Sequence, residues 1–316
     1  MKNKIYYLFL IFSISVNANM SLSTGSIEEI YLKTGQGHDR RVQIYKPFEQ
    51  PISQKTKYLI MNDGEELFDE SDSWNNRAWD IDGKFLEYKN SGNSMDIVII
   101  TIDNAKRANG NFVDDTRRYV EYFPKESIDY FEDGIHKFLY KSFVDKDETN
   151  HPLFIVNTLI PAIEQKFDVS LDSSNLGIMG ASMGALSALN TAMEYPELFG
   201  FVGCISTHWI GIKPSEYLLL PLNGLLNRKP VIADEATIEA IIKYSAINAS
   251  RLKDNKVYFD HGTEGLDYFY PEPQARINKI FDSHQIEYMF KVNEGHGHEP
   301  KYFGSRFIDA LQYLIN

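Results

Sequence analysis

The chain has one cysteine, Cys204, in 316 residues. No disulfide can therefore form within it, and its stability has to come from packing. Beyond residue 18 it also lacks any run of the roughly 20 apolar residues that a membrane-crossing helix needs. Positive charge is in short supply: 32 Lys and Arg stand against 44 Asp and Glu, for a formal net charge of −12. Nucleic acid and anionic lipid both demand clustered Lys and Arg, so neither is expected as a partner, and the acidic excess is read as keeping the surface solvated. Glycine-rich phosphate cradles are missing too, since neither G-x-x-x-x-G-K-[ST] nor G-x-G-x-x-G occurs. Asp80-Ile81-Asp82-Gly83 has the flavour of a calcium loop. Its first ligand position would be Ala78 and its twelfth Lys89, which excludes an EF-hand. Internal repeats and low-complexity tracts are absent as well.

At the N-terminus, Lys2 and Lys4 precede an uncharged apolar run from Ile5 to Val16, and Val16-Asn17-Ala18 puts small or apolar groups where a peptidase would cut. That order reads as a secretory signal peptide over residues 1–18. The mature chain then starts near Asn19, secreted or periplasmic, with no stable membrane insertion. The remaining length, about 300 residues, suits a single large domain over residues 19–316.

Short β-branched runs alternate with helix-period stretches, the sequence form of a mostly parallel α/β sheet with helices on both faces. Glu29 to Lys33 and Arg41 to Tyr45 predict an antiparallel opening hairpin around Gly35-Gln36-Gly37. Core strands are expected at Tyr58 to Asn62, Asp96 to Ile102, Asn175 to Met179, Phe201 to Ile205, Lys256 to Asp260 and Glu287 to Val292. Helices are expected at Pro152 to Phe167, Ala185 to Tyr195, Glu235 to Ile247, Pro273 to Ser283 and Tyr302 to Ile315. Asn104 to Asp129 and Thr207 to Val231 fit neither period and read as long loops, walls or lids on the side where open α/β sheets bind ligands.

The sharpest local pattern is Gly180-Ala181-Ser182-Met183-Gly184, a G-x-S-x-G with a strand running in and an alanine-rich helix running out. A sharp strand-to-helix turn strains the serine's backbone and requires small flanking residues, which Gly180 and Gly184 supply. The helix N-terminus beyond Ser182 offers N–H groups and a positive dipole end to developing negative charge. A serine hydroxyl needs a histidine base, and the base needs a carboxylate to fix its tautomer. Late in the chain both are present in the order acid, then histidine: Glu264 and Asp267 follow one strand, and His296 and His298 follow the last. A zinc site built on His261, His296 and His298 is the rival reading, and no acidic zinc motif accompanies it. His38, His136, His151 and His284 lie in polar contexts and read as surface residues. His208 and Trp209, just past a strand, are candidates for a pocket wall.

With these motifs in view, the sequence from about Tyr58 onward resembles the α/β-hydrolases of the "Putative esterase" family. That family includes ferric enterobactin esterases, feruloyl esterase domains, S-formylglutathione hydrolases and mycolyltransferases. Asn62-Asp63-Gly64-Glu65-Glu66-Leu67-Phe68-Asp69 is similar to the family segment His-Asp-Gly-Gln-Asn-Leu-Phe-Asp. The resemblance implies that the backbone N–H groups of Glu65 and Met183 form an oxyanion hole. Glu65-Glu66 replaces Gln-Asn and would bring negative charge to the mouth of the site. Arg118-Tyr119-Val120-Glu121-Tyr122-Phe123-Pro124 resembles a family Arg-x-x-Glu-Tyr-x-Pro stretch, in which Arg118 either meets substrate or pairs with Glu121. Gly297-His298-Glu299 is similar to the family's base loop and selects His298. The family's Leu-Asp favours Asp267 as the acid, with Glu264 the alternative. The implied activity is carboxylic ester hydrolysis through an acyl-enzyme on Ser182, acting on a small-molecule or glycan ester without a cofactor. An acyltransferase and a catalytically inactive binding protein are the alternatives. The acyl group, the alcohol and the oligomeric state are not written in the sequence.

Overall fold

The computed structural model describes residues 21–35, 39–71, 73, 77–105, 115–144, 150–211 and 234–316. The expected signal peptide, the tip of the opening hairpin, His38 and most of the stretch from Thr207 to Val231 lie outside them.

Eight strands form one sheet: β1 Ser26–Lys33, β2 Asp39–Lys46, β3 Lys57–Asn62, β4 Ile97–Ile102, β5 Leu176–Ala181, β6 Phe201–Ile205, β7 Lys256–Gly262 and β8 Tyr288–Asn293. Their order is β1-β2-β4-β3-β5-β6-β7-β8. β1 pairs antiparallel with β2, and β2 with β4. Every later pairing is parallel, from β3 beside β4 out to β8. The C-terminal ends of β3 to β8 consequently share one edge of the sheet, where open α/β sheets bind ligands.

The helices are α1 Ile81–Asn90, α2 Asp115–Tyr122, α3 Ile135–Phe143, α5 Met183–Glu194, α6 Glu235–Asn248, α7 Pro271–His284 and α8 Pro300–Ile315. Between α3 and α5, His151–Phe154, Ile155–Leu159 and Ile160–Phe167 run end to end as α4. Its middle segment is π-helical. Pro161 follows that segment and supplies no N–H to an ordinary helical ladder, so the turn before it widens. Among the described residues, no helix is long and apolar enough to cross a membrane.

Strand alternation divides the core in two. Tyr58 and Ile60 of β3, Val98 and Ile100 of β4, and Val257 and Phe259 of β7 face one layer with α4 to α7. Their neighbours Leu59, Met61, Ile97, Ile99 and Tyr258 face the other, against Phe85 of α1 and Phe303, Phe307 and Leu311 of α8. A period of two on strands buried on both faces gives the near-continuous apolar runs seen in the sequence.

The strand and helix expectations hold with small shifts at the ends, and Asn104 to Asp129 is the main correction. Its described part beyond residue 114 is not a long loop, because α2 and a 3-10 turn at Lys125–Tyr130 occupy it. The α2 residue Glu121 points inward and is buried, so charge occupies the face where a helix pattern shows apolar residues. The sequence also gave no notice of α1. The buried residues of that helix are only Ile81, Asp82 and Phe85, too few to set a period.

Candidate active site

Ser182 sits between β5 and α5 with φ 56° and ψ −126°. That conformation strains any residue with a side chain and is characteristic of functional turns. The turn closes tightly: a Cβ on Gly180 would lie 2.5 Å from the Gly184 carbonyl, and one on Gly184 would lie 2.7 Å from an Asp63 carboxylate oxygen. The Ser182 N–H bonds the Ile205 carbonyl at 3.0 Å, tying the turn to β6.

Asp267 follows β7 on a short 3-10 turn, Gly265–Phe269, and is fully buried. His298 follows β8 just before α8. Its Nδ1 donates to Asp267 Oδ1 at 2.6 Å. The other carboxylate oxygen accepts the Gly262 N–H and the Ser206 hydroxyl, both at 2.6 Å. Burial pushes the Asp267 carboxyl up, but the bond and charge of His298 and the donors from Ser206 and Gly262 outweigh it and hold the group below its ordinary range. Glu264, the other candidate acid, is exposed. Its backbone N–H bonds the His296 carbonyl, and the structure does not bring it to His298.

Beneath Asp267 lies a support the sequence did not reveal. Arg306 of α8, 4% exposed, donates through Nη1 to Asp260 at 2.8 Å and to Ser206 Oγ at 3.2 Å. Ser206 thus receives from a buried cation and passes its own O–H to the carboxylate. Nothing local in the sequence links residues 206, 260, 267 and 306.

Across the serine, the chain leaves β3 through Asp63, at φ 59°, into the turn Gly64–Glu66. In that turn Glu66 N–H bonds the Asp63 carbonyl and Leu67 N–H the Gly64 carbonyl, so the Glu65 N–H precedes both. Met183 is the first residue of α5, where amides have no partner within the helix. The Glu65 and Glu66 side chains are buried, 4% and 8% exposed. The expected negative charge at the mouth is therefore corrected: Glu65 turns inward and accepts the Asn104 N–H at 3.1 Å. Burial, then Asp103, Asp63 and Glu66, raise its carboxyl well above the ordinary value.

Of the two readings for Arg118, the pair with Glu121 is corrected: Arg118 makes a two-pronged bond to Asp63 instead, at 2.7 and 2.8 Å. Glu121 instead takes Arg40 at 2.7 Å, His151 at 3.2 Å and the Ala105 N–H at 2.8 Å. His151, expected at the surface, is 1% exposed and shares its second nitrogen with Asn62 at 2.8 Å. Asn62 in turn donates to the Gly184 carbonyl at 2.8 Å, joining this charged layer to the serine turn.

Trp209 lies in the core rather than on a pocket wall, its N–H donating to Gln274 at 2.9 Å and its ring packed on Phe259. His208 is 1% exposed and meets the Tyr270 hydroxyl at 3.0 Å. Tyr270 was missed altogether. The Ser182 hydroxyl neighbours its phenol oxygen, and its ring stands at 78° to that of His298 with centroids 5.7 Å apart. His261 bonds the Gly262 carbonyl, and His296 stacks on Tyr302. Among the described residues, no group of three or more His, Cys, Asp or Glu is placed to hold a metal ion.

Residues 34–314 match the model of the family described as "Putative esterase". The chain belongs to this family. Esterase is the activity in that family's description. The chain is 27% identical over 161 residues to the uncharacterized protein YbbA of Bacillus subtilis (strain 168), covering 51% of this chain and 57% of that one. It thus spans little more than half the length of that curated relative. Solved structures share the fold. A ferulic acid esterase superposes with a TM-score of 0.61 at 17% identity, over 92% of this chain and 98% of its own. The enterobactin and salmochelin hydrolase IroE gives 0.60 at 14%, over 94% and 97%. The ferric enterobactin esterase of Salmonella typhimurium gives 0.55 at 13%, over 94% and 60%.

Proposed function

We propose that this esterase works through an acyl-enzyme on Ser182, with His298 as general base and Asp267 as the carboxylate that orients it. The observation that carries the reading is the 2.6 Å Asp267–His298 bond at the same edge of the sheet as a serine held at φ 56°. His298 takes the Ser182 proton as the hydroxyl attacks the ester carbonyl, and the oxyanion rests on the Glu65 and Met183 N–H groups. The alcohol leaves with the proton from His298. Water then adds to the acyl carbonyl, gives its proton to His298, and releases the acid and free Ser182. Asp267 stays ionised throughout, because its three donors favour the charged form.

Esters of ferulic acid and of enterobactin type, named for two of the similar structures, are the first substrates to assay, beside acetylated xylan and simple nitrophenyl esters. The reading includes export, with residues 1–18 removed. The purified protein should be labelled once by a fluorophosphonate. Ser182→Ala should lose both the label and short-chain ester hydrolysis while keeping its fold. Full activity in that variant, or loss of parent activity to a chelator, would replace the serine mechanism with a metal one. A membrane-bound product retaining residues 1–18 would remove export from the reading.

A further inference from the structure

Tyr270 and His208 lie at the centre of the site and take no part in the three-residue mechanism. Both are buried, 0% and 1% exposed. His208 Nε2 lies 3.3 Å from the Gly211 carbonyl. Only an N–H makes a favourable contact with a carbonyl oxygen, so the proton is on Nε2 and Nδ1 presents a lone pair. Burial, and then the nearby His298, drive the imidazole's pKa down to about 3, which keeps it neutral. The Tyr270 hydroxyl, 3.0 Å from Nδ1, therefore donates its only proton to His208. Toward everything else its oxygen can only accept.

The neighbour on that accepting side is the Ser182 hydroxyl, while the edge-to-face contact sets the phenol beside His298. Acylation removes the serine's proton and so takes the Ser182 donor away from the buried Tyr270 oxygen. A buried acceptor left unpaired is costly, so it selects a donor from the next molecule to enter.

We propose that Tyr270, fixed as an acceptor by His208, positions the water that cleaves the acyl-enzyme and biases the site toward hydrolysis over transfer to an alcohol. The inference rests on the acyl-enzyme reading above. Water carries two protons, one for His298 and one for Tyr270. As its oxygen bonds to the acyl carbon, the first proton passes to His298 and the second stays on the forming acid, against Tyr270. The bond from the acyl carbon to Ser182 Oγ then breaks, and His298 returns its proton to that oxygen. An alcohol has one hydroxyl proton, which His298 takes, and so it leaves Tyr270 unpaired. The penalty falls on attack by an alcohol, as it does on the acylation step that is its reverse, and not on attack by water.

The test is product partition from p-nitrophenyl butyrate in mixed methanol and water, counting methyl ester against acid. Tyr270→Phe keeps the ring and removes the acceptor. Its methyl ester share should rise about tenfold relative to the parent, the effect of one hydrogen bond in a buried site. Its kcat should fall together with KM, because deacylation slows more than acylation. An unchanged partition would overturn the proposal, since a loss of mere packing slows both routes alike. His208→Ala provides a second arm if Tyr270→Phe does not fold. Freed from its acceptor, the Tyr270 proton can be offered to an alcohol oxygen, and the methyl ester share should rise here too; no rise there also counts against the proposal. If the parent takes no covalent label at Ser182, the acyl-enzyme reading itself fails, and that result is separate from the partition.

Discussion

The two sides of Ser182 are held in opposite ways. On the His298 side, a side chain is positioned, and short hydrogen bonds do it: three donors converge on Asp267, with Arg306 behind one of them. On the Glu65 side, a backbone N–H is positioned, and buried charge does it: Arg118 on Asp63, and Arg40 and His151 on Glu121. The difference follows from what each side supplies in the proposed mechanism. An orienting carboxylate must be ionised and rigid, which direct donors achieve. A loop amide has no side chain to grip, so its neighbours are tied to distant helices, and a chain of bonds from α4 through Asn62 reaches Gly184.

Breaking the first side should have the largest effect, and on rate rather than stability. Asp267→Asn should lower kcat by roughly three to four orders of magnitude, because the histidine loses its working tautomer. Glu264→Gln, on an exposed side chain, should leave kcat within about twofold, as surface changes usually do. Steady-state assays of both variants check this, and the reverse pattern would hand the orienting role to Glu264.

Breaking the second side should register in stability first. Arg118→Met strands the buried Asp63 carboxylate with, among the described residues, only Asn104 as a side-chain donor, at a cost of about 3 kcal/mol. A urea titration should show the midpoint fall at unchanged slope. A variant as stable as the parent would mean that Asn104 and solvent suffice, and the charged layer would lose its role as the anchor.

The smallest effect is a pH dependence that separates the sides by where it begins. His208, beside His298, is held down to about 3 in the folded state, so the unfolded chain binds its proton first. The stability it contributes is complete above its ordinary value of 6.5 and is lost as pH falls from there toward 3. Glu121 is held down to about 2 by Arg40 and His151 against the cost of burial. Its contribution is complete above 4.5 and is lost as pH falls toward 2. These two groups should therefore contribute a decline that begins at about pH 6.5, with a slope of at most about 1.4 kcal/mol per pH unit, and steepens below about 4.5, opposed above 4.5 by the raised carboxyl of the buried Glu65. His208→Gln should remove the upper part of that decline and leave the lower, as thermal melts across pH would show.

What the sequence determined by itself was whatever is written in short, regular or contiguous signals. Strands buried on both faces announced themselves as apolar runs, and α5 as an alanine-rich stretch after a small-residue turn. The serine turn could be read because its steric demand falls on adjacent residues, Gly180 and Gly184. The acid was narrowed to two residues and no further, since Glu264 and Asp267 are equally near in sequence. Which carboxylate turns inward to His298 was set by the packing of the folded chain. It alone paired Arg118 with Asp63 instead of Glu121, buried His151, and gathered Ser206, Asp260 and Arg306 under one carboxylate. It also set Tyr270 between Ser182 and His208. In each case the partners come from different strands and helices, and whether a charged or polar side chain faces water or a buried partner depends on what the rest of the chain packs against it.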